Sequence, residues 1–214
     1  PFTLDIECPS ENCNGKIVER KGKRGKLFVI EGTDSSGKQT QTGKVVERLH
    51  TSGLPVGLIN FPQYESPTGN ILKRYLGKPP YEQEFGPSDA LDPKVASVFY
   101  AIDRYAHLPI IRYNLANGVN MFADRYVESN MGHQGGKIAD ARERERFFDW
   151  VEEVEYRDNG LPRPDEVVFL NMPHQVGVRL KEGSGEVMDG HETDLGHLQR
   201  AEECYHQLVE KYGW

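Results

Sequence analysis

The segment from Leu27 to Thr40 constrains the fold of this 214-residue chain more than any other. It reads LFVIEGTDSSGKQT, so that a short apolar strand runs into a loop bounded by Gly32 and Gly37, and a helix begins at Lys38. The N–H groups of such a loop and the N-terminus of the helix point at an anion, and the lysine reaches the outer phosphates of a nucleotide. We therefore predict a nucleotide phosphate site here, in preference to a plain strand-to-helix turn.

The loop departs from the pattern G-x-x-x-x-G-K-[ST] at one position. Gln39 stands where a magnesium-binding hydroxyl is expected, and Thr40 follows one residue later. Asp34 lies inside the loop, and we predict that it binds a metal or an acceptor hydroxyl rather than caps the helix, because two serines beside it offer equivalent caps. The residues predicted to bind the nucleotide phosphates are Gly32, Thr33, Ser35, Ser36, Gly37, Lys38, Gln39 and Thr40.

Composition narrows the classes of partner. A formal net charge of −7 argues against a surface that coats nucleic acid. No apolar run approaches the roughly 20 residues of a membrane span and no signal-peptide pattern opens the chain, so we expect neither nucleic acid nor membrane as a partner. Three cysteines do not make a disulfide framework, which favours a reducing cytoplasm. Cys8 and Cys13 are interpreted as free thiols, with half of a zinc site as the alternative.

Strands and helices alternate from residue 27 onward, which predicts one α/β domain over 27–214 behind a polar extension over 1–26. The basic run over 21–26 is interpreted as a solvated lead-in. Such alternation implies a parallel sheet covered by helices on both faces, with ligands outside the carboxyl ends of the strands. The predicted strands cover 27–31, 56–60, 119–123 and 167–171, and the predicted helices 38–52, 68–77, 93–116, 143–157, 174–182 and 192–211.

Polar and aromatic residues follow the second and third predicted strands. Phe61 and Tyr64 come after the second strand, where a ring held toward the cleft and ordinary core packing are equal alternatives. Asp124 and Arg125 end the third strand. The arginine suits an acceptor phosphate and the carboxylate suits magnesium, whereas an internal ion pair is the alternative. Further donors for a base edge come from Asn130, His133 and Gln134.

Two more features lie outside these strand ends. Tyr100 and Arg104 are four residues apart on the long helix and therefore share a face, where they can stack on a base and hydrogen-bond to it. The alternative is a surface ring with an arginine that extends along it to solvent. The glycine-rich segment around 182–186 predicts a flap over about 179–190, and flaps over phosphoryl-transfer sites exclude water.

Taken together, these motifs resemble those of the thymidylate kinase family, P-loop enzymes that phosphorylate dTMP from ATP. The likeness runs from Lys26 to the end of the chain and rests on the loop over 31–38, the Phe-Pro element at Phe61, the spacing of Tyr100 and Arg104, and the Asp-Arg-aromatic element at Asp124. The resemblance implies a three-layer P-loop NTPase fold with a short flap, ATP and dTMP as ligands, and Mg²⁺ as cofactor. It also implies homodimers formed through the long helices.

The resemblance implies a role for particular residues. Asp34 would lie near the deoxyribose 3′-hydroxyl, and Arg125 would grip the dTMP phosphate. The implied catalytic residues are Lys38, Asp34, Arg125, Arg179 and Lys181. The implied dTMP-binding residues are Asp34, Phe61, Tyr64, Tyr100, Arg104, Arg125, Asn130, His133, Gln134, Asp189 and His191. The implied magnesium ligands, acting directly or through water, are Asp124 and Glu192.

The chain departs from the family pattern in ways that keep other functions open. Ser35 occupies a loop position where some members carry a catalytic arginine, and the flap offers only Arg179 and Lys181 near its start. His133 replaces a tyrosine that crowds the sugar 2′ side. The chain ends at Trp214, before the further strand that the family usually has, so we expect a truncated chain or an unresolved tail. The alternatives are a P-loop kinase of another nucleotide or deoxynucleoside and a catalytically impaired nucleotide-binding regulator.

Overall fold

The computed structural model describes residues 23–184 and 194–214. In these two segments four strands form a parallel sheet in the order β2–β3–β1–β4. Val29 in the central strand β1 lies opposite Ala123 in β3 and Val167 in β4. The carboxyl ends of the strands therefore share one edge, from which the phosphate loop leaves. The strands are β1 (Leu27–Gly32), β2 (Val56–Asn60), β3 (Asn120–Asp124) and β4 (Glu166–Leu170).

Seven helices flank the sheet in the described segments, and the predicted α/β fold is confirmed. Each predicted strand lies within one residue of its observed bounds. None of the helices in the described part combines the length and apolarity needed to cross a membrane. The helices are α1 (Lys38–Thr51), α2 (Pro67–Leu76), α3 (Pro93–Ala116), α4 (Val127–Gly135), α5 (Ala141–Glu152), which continues into a π-helical turn (Glu153–Asp158), α6 (His174–Ser184) and α7 (Leu195–Tyr212).

The helix α4 has no counterpart in the sequence-based prediction. Its sequence, VESNMGHQG, is rich in residues with poor helix propensity. Packing compensates, because a Cβ on Gly132 would lie only 2.6–2.8 Å from three ring atoms of Tyr205 in α7. The glycine that weakens the local helix signal is thus the residue that lets α7 approach, and α4 is stabilised by tertiary contacts rather than by propensity.

Side-chain caps fix the beginnings of four helices, among them α3 and α7. Asp92 Oδ1 accepts hydrogen bonds from the backbone N–H groups of Lys94 at 2.8 Å and Val95 at 3.2 Å, so the predicted start of the long helix is confirmed. Asp194 accepts from the N–H of His197 at 3.0 Å at the start of α7.

The basic side chains of Lys23, Arg24 and Lys26 are exposed, as expected for a solvated lead-in, but this stretch is also tied to the fold. The Asp165 carboxylate accepts from Arg24 Nη1 at 3.0 Å and from the N–H of Leu27 at 2.8 Å. Gly25 is buried and donates to the Leu115 carbonyl at 2.8 Å. Backbone groups next to a central strand need partners, and these contacts supply them.

Two buried clusters hold the elements in place. The larger one lies between the sheet and the helices and includes Val29, Met121, Phe148 and Tyr205. The smaller one joins α2 to α3 through Leu72, Tyr75, Leu76 and Ala96. Because residues from both helices line the cavity described next, this second cluster fixes one wall of the site.

Candidate active site

A cavity of about 630 Å³ opens at the carboxyl edge of β2 and β3, beside the phosphate loop. Such an edge of a parallel sheet is the expected position for a ligand. The cavity brings together most of the residues singled out from the sequence. Its lining includes Asp34, Ser35, Ser36, Gly37, Lys38, Gln39, Thr40, Phe61, Tyr64, Tyr100, Arg104, Asp124, Arg125, Asn130, His133 and Gln134.

Other predicted residues do not line this cavity. Gly32 and Thr33 lie at its base, where Thr33 Oγ1 donates to the Met172 carbonyl at 2.6 Å. Arg179 is exposed on α6, although its neighbour Leu180 lines the cavity. The predicted flap begins inside α6, and the Lys181 side chain and residues Asp189, His191 and Glu192 lie outside the described residues, as do Cys8 and Cys13.

Lys38 is buried at the start of α1 and bonds to its own loop. Its Nζ donates to the carbonyls of Gly32 at 3.0 Å and Thr33 at 2.6 Å. Burial, followed by the nearby Arg125 charge, lowers the pKa of Lys38 to about 8. The N-cap of α1 is Gly37, in a left-handed conformation with φ 82° and no side-chain cap bond. Gly37 rather than Asp34 is therefore the N-cap residue of α1.

Arg125 forms a close ion pair with Asp34, across the cavity entrance to the phosphate loop. This contact differs from the predicted alternative, which was an internal ion pair between the adjacent residues Asp124 and Arg125. Nη1 of the same guanidinium lies 3.2 Å from Ser129 Oγ and 3.1 Å from His133 Nε2. Burial opposes the arginine charge, but Asp34 together with the nearby Tyr205, Glu31 and Asp124 outweighs it, and the pKa of Arg125 is raised. Its φ of 66° is a left-handed conformation that is strained for a non-glycine residue.

Glu31 connects the arginine segment to the central strand. Its carboxylate, fully buried, accepts from the N–H of Tyr126 at 2.9 Å, from Ser129 Oγ at 2.6 Å and from the Tyr205 hydroxyl at 3.1 Å. Burial raises the pKa of Glu31. Glu31 was not predicted to be a site residue. The sequence feature that could have identified it is a lone acidic residue at the end of an apolar strand.

Arg104 is 2 % exposed at the far end of the cavity. Its Nε and Nη2 donate to the two Glu155 oxygens at 2.6 and 2.5 Å, and its Nη1 donates to the Tyr126 carbonyl at 3.1 Å. The alternative of a surface arginine that extends to solvent is therefore wrong. A bidentate pair of this kind fixes the guanidinium plane, so that one edge of a rigid cation faces the cavity.

Amide groups beside Arg104 are buried with atoms that lack a partner. Asn130 Nδ2 donates to the Ser97 carbonyl at 3.2 Å and to Glu155 Oε1 at 3.0 Å, but its Oδ1 accepts nothing from the described residues. Both amide atoms of Gln134 are buried and equally unpartnered there. Buried polar atoms are nearly always hydrogen-bonded, so we expect these three atoms to bond to water or to a ligand.

Aromatic residues form the remaining wall. Tyr64 and Tyr100 line the cavity, whereas Phe61 is mostly enclosed in the core and reaches the cavity with one side only. Lys78 was not predicted to be a site residue, but it also lines the cavity, and its Nζ lies 5.0 Å from the Tyr64 ring centroid. Asp103 was not assigned a role from the sequence either.

Asp103 holds the loop that carries Phe61 and Tyr64. Its buried carboxylate accepts from the N–H of Gln63 at 2.8 Å and from Thr68 Oγ1 at 2.9 Å. The signal for Asp103 was its position next to Arg104, on the neighbouring helix face.

Asp124 is the described carboxylate best placed for a metal. It lines the cavity near Lys38, and burial raises its pKa while Arg125 and Lys38 lower it. Within the described residues there is no group of three side chains able to hold a metal ion. A carboxylate suits Mg²⁺, but the chain presents no cage, so the ion would need further oxygens from a ligand and from water.

Comparisons with known proteins show which family the chain is similar to. The family model described as thymidylate kinase matches residues 30–214. A thymidylate kinase from Homo sapiens is 36% identical over 190 residues, which cover 87% of this chain and 78% of the human protein. A thymidylate kinase from Danio rerio is 28% identical over 77% of this chain and 69% of its own. The solved structure of a thymidylate kinase from Candida albicans has a TM-score of 0.63 at 24% identity and covers 89% of this chain and 81% of that one.

Proposed function

Because the chain belongs to the thymidylate kinase family, we propose that it transfers the γ-phosphate of ATP to dTMP and yields dTDP for dTTP synthesis. The observation that carries this proposal is one cavity with two unlike ends. Lys38 and Arg125 lie at one end, and the unpartnered amides of Asn130 and Gln134 lie at the other. Cations suit phosphates, and amides with open donors and acceptors suit the edge of a base.

ATP would lie with its β- and γ-phosphates over the loop 32–38. Lys38 donates to carbonyls of Gly32 and Thr33 in the ligand-free protein. A phosphate oxygen is charged and accepts a stronger hydrogen bond than a carbonyl, so Nζ would exchange these partners for the nucleotide. This exchange supports a role for Lys38 in neutralising the charge that develops during transfer.

The acceptor phosphate would bind to Arg125. Its pairing with Asp34 keeps two partly buried charges compensated until an anion arrives. Nη2 of the guanidinium then donates to the phosphate, and Asp34 is released toward the sugar 3′-hydroxyl. No general base is needed, because the attacking phosphate oxygen is already anionic. The protein contributes alignment and charge stabilisation.

The base would bind at the amide end. Thymine offers one N–H donor between two carbonyl acceptors, which match Asn130 Oδ1, the Gln134 amide and the cavity edge of Arg104. Tyr100 would stack on the ring. A site with buried polar groups rejects bases that leave those groups unpaired, and this supports selection by hydrogen bonding rather than by shape alone.

Mg²⁺ is the proposed cofactor, held mainly by ATP phosphates and water, with Asp124 and Glu192 as the protein carboxylates. It supplies charge neutralisation at the transferred phosphoryl group. The cation that replaces the usual catalytic arginine is proposed to come from Arg179 or Lys181. They flank Leu180, which lines the cavity and so brings this stretch of α6 near the phosphates.

Replacing Lys38 tests the placement of the γ-phosphate. We expect Lys38→Ala to abolish ATP:dTMP transfer while the circular dichroism spectrum stays unchanged. Lys44→Ala is the matched control, because Lys44 lies exposed on the same helix. A Lys38→Ala enzyme with near-normal turnover would contradict the proposal.

The identity of the acceptor is tested with a panel of nucleosides and monophosphates, by measuring ATP consumption for each. dTMP is expected to be the preferred acceptor, and its coming last would favour a kinase with another acceptor. Tight binding of ATP and dTMP with no product in the presence of magnesium would favour the catalytically impaired regulator.

We also propose a homodimer formed through α3 and a cytoplasmic location, the latter on cysteine content alone. Six large apolar side chains on α3 are 38–54% exposed and recur at helical spacing. A contiguous apolar stripe is typical of an interface. We expect Ile102→Glu to shift the mass measured by light scattering from dimer to monomer, whereas Val45→Glu, on another helix, does not. The six residues are Val95, Val98, Ile102, Tyr105, Ile110 and Tyr113.

A further inference from the structure

Two histidines, the half-buried His133 and the fully buried His197, connect Arg125 to the loop before α3. Nε2 of His133, on α4, is 3.1 Å from Arg125 Nη1, and its Nδ1 is 3.4 Å from Nε2 of His197, on α7. His197 Nδ1 is 3.0 Å from Asp89 Oδ1. The other Asp89 oxygen accepts from Arg200 at 2.6 Å. These contacts form an unbroken series from the cavity to the carboxylate of Asp89.

The chemistry of the groups allows one direction of donation along this series. Arginine has no acceptor, so His133 Nε2 must carry no hydrogen. A neutral His133 then has its hydrogen on Nδ1 and donates to His197 Nε2. That nitrogen must also be bare, which puts the His197 hydrogen on Nδ1, facing Asp89. The carboxylate only accepts, and the series closes with every donor opposite an acceptor.

The surroundings favour neutral rings in this arrangement. Burial lowers the pKa of His133 to about 3 and also lowers the pKa of His197, which is fully buried. The two ring planes are within 17° of parallel, and their centroids are 5.7 Å apart. The centroid separation exceeds the 3.4 Å between the two bonded nitrogens by nearly two ring radii, so both nitrogens lie close to the line that joins the centroids. The rings therefore meet edge to edge, and the hydrogen bond runs close to both ring planes.

We infer that Asp89, His197 and His133 form a directional hydrogen-bond relay that positions Arg125 for the acceptor phosphate. The relay and Ser129 hold Nη1, while Nη2 pairs with Asp34 and is the nitrogen that exchanges partners. One side of the fork thus stays fixed when the other binds phosphate. The role of Arg125 rests on the proposed function, whereas the relay itself does not. Asp89 and His197 are positioning residues, because they act through His133.

Nitrogen NMR of histidine-labelled protein tests the relay without any assay of activity. Imidazole in water prefers a hydrogen on Nε2, whereas the relay requires both His133 and His197 to carry it on Nδ1. We expect both rings to show a protonated Nδ1 and a bare Nε2, assigned by the loss of each signal in His133→Phe and His197→Phe. A hydrogen on Nε2 of either ring would overturn the inference, whether or not dTMP is the substrate.

Kinetics test the consequence for Arg125. His197→Phe keeps a buried ring but offers no acceptor to His133, and we expect KM for dTMP to rise about tenfold while KM for ATP stays unchanged. His197→Gln restores an acceptor near the Nε2 position and should recover part of the loss. Arg200→Met removes the other partner of Asp89, an exposed ion pair, and should change KM for dTMP by less than about twofold.

Other outcomes are decisive as well. An unchanged KM for dTMP in His197→Phe would overturn the inference, as would a parallel rise of both KM values with a lowered melting temperature, because that marks a purely structural residue. A wild-type protein that turns over another acceptor better would refute the proposed function. In that case the NMR tautomers would still decide whether the relay exists.

Discussion

The two ends of the cavity differ in how they hold buried polar groups before any ligand arrives. At the phosphate-loop end, Lys38 bonds to loop carbonyls and Arg125 pairs with Asp34. At the base end, Asn130 Oδ1 and both amide atoms of Gln134 have no partner among the described residues. One end therefore holds charges that other protein groups compensate, and the other holds amide atoms that have no such protein partner in the described segments.

The difference follows from the cost of burying each kind of group. An isolated buried charge costs far more than an isolated buried amide, because amides lose only hydrogen bonds to water. Charges in an empty site must therefore be compensated by the protein, while amides can wait for a ligand at a modest cost. We therefore expect the phosphate-loop end, with Lys38 and Arg125, to rearrange when it binds. We expect the base end, with Asn130 and Gln134, to bind without rearrangement.

Arg104 sharpens this comparison because it is a charge at the amide end. Its bidentate pair with Glu155 is almost fully buried, and Asn130 shares the same carboxylate. Unlike Arg125, it does not have to give up its carboxylate to present an edge to the cavity. We therefore interpret the Arg104–Glu155 pair as a permanent part of the base end.

The largest effect is expected from breaking that pair. Glu155→Gln leaves a guanidinium buried without its counter-charge and should lower the free energy of unfolding by about 3–5 kcal/mol, measured by urea denaturation at neutral pH. Glu153→Gln is the matched control, because its ion pair with Arg157 is exposed and is expected to cost under about 1 kcal/mol.

A double variant separates the charge from the packing. Arg104→Met combined with Glu155→Met should be less destabilised than Glu155→Gln alone, because no unpaired charge remains. If Glu155→Gln unfolds like the wild type, the pair is not what holds the base end, and the contrast with Arg125 is lost.

A smaller effect, opposite in sign for stability and for binding, is expected at Gln134. Gln134→Met replaces an unpartnered amide by an apolar chain of similar length, and we expect the ligand-free protein to gain about 1 kcal/mol of stability. KM for dTMP should rise about tenfold, because the base loses a hydrogen-bonding partner. Thermal unfolding and initial rates provide both values. A variant that loses stability would show that the amide has an essential structural role.

The sequence was informative where local order and chemistry coincide. The strand, glycine loop and Lys38 are contiguous, so their geometry could be predicted from one segment. The position of Arg125 after β3 followed from the rule that ligands bind at the carboxyl ends of parallel strands. Asp92-Pro93 marked the start of α3 through capping chemistry that needs no distant residue.

Contacts between distant segments could not be predicted. Arg104 meets Glu155 across 51 residues, and Glu31 meets Tyr205 across 174. No local pattern carries such pairings. The helix α4 was missed for the same reason, because Gly132 and its neighbours are helical through contact with α7 and not through propensity. The partner of Arg125 also proved to be Asp34 in the loop rather than the adjacent Asp124.

An effect of the same size on binding concerns pH and the exchange of partners by Lys38. Burial lowers its pKa to about 8 in the ligand-free fold, whereas an unfolded lysine titrates near pH 10.4. Between these values the unfolded chain binds more protons, so Lys38 makes stability rise with pH in that window.

ATP affinity should move the other way and fall about tenfold from pH 7 to pH 9, because a neutral lysine cannot neutralise phosphate. Calorimetry in two buffers of different ionisation enthalpy should show proton uptake on ATP binding above pH 8. Lys38→Met should abolish this uptake and Lys44→Met should keep it. Proton uptake that persists in Lys38→Met would show that another group binds the proton. The exchange of partners by Lys38 would then be contradicted, and the contrast between the phosphate-loop end and the base end would be lost.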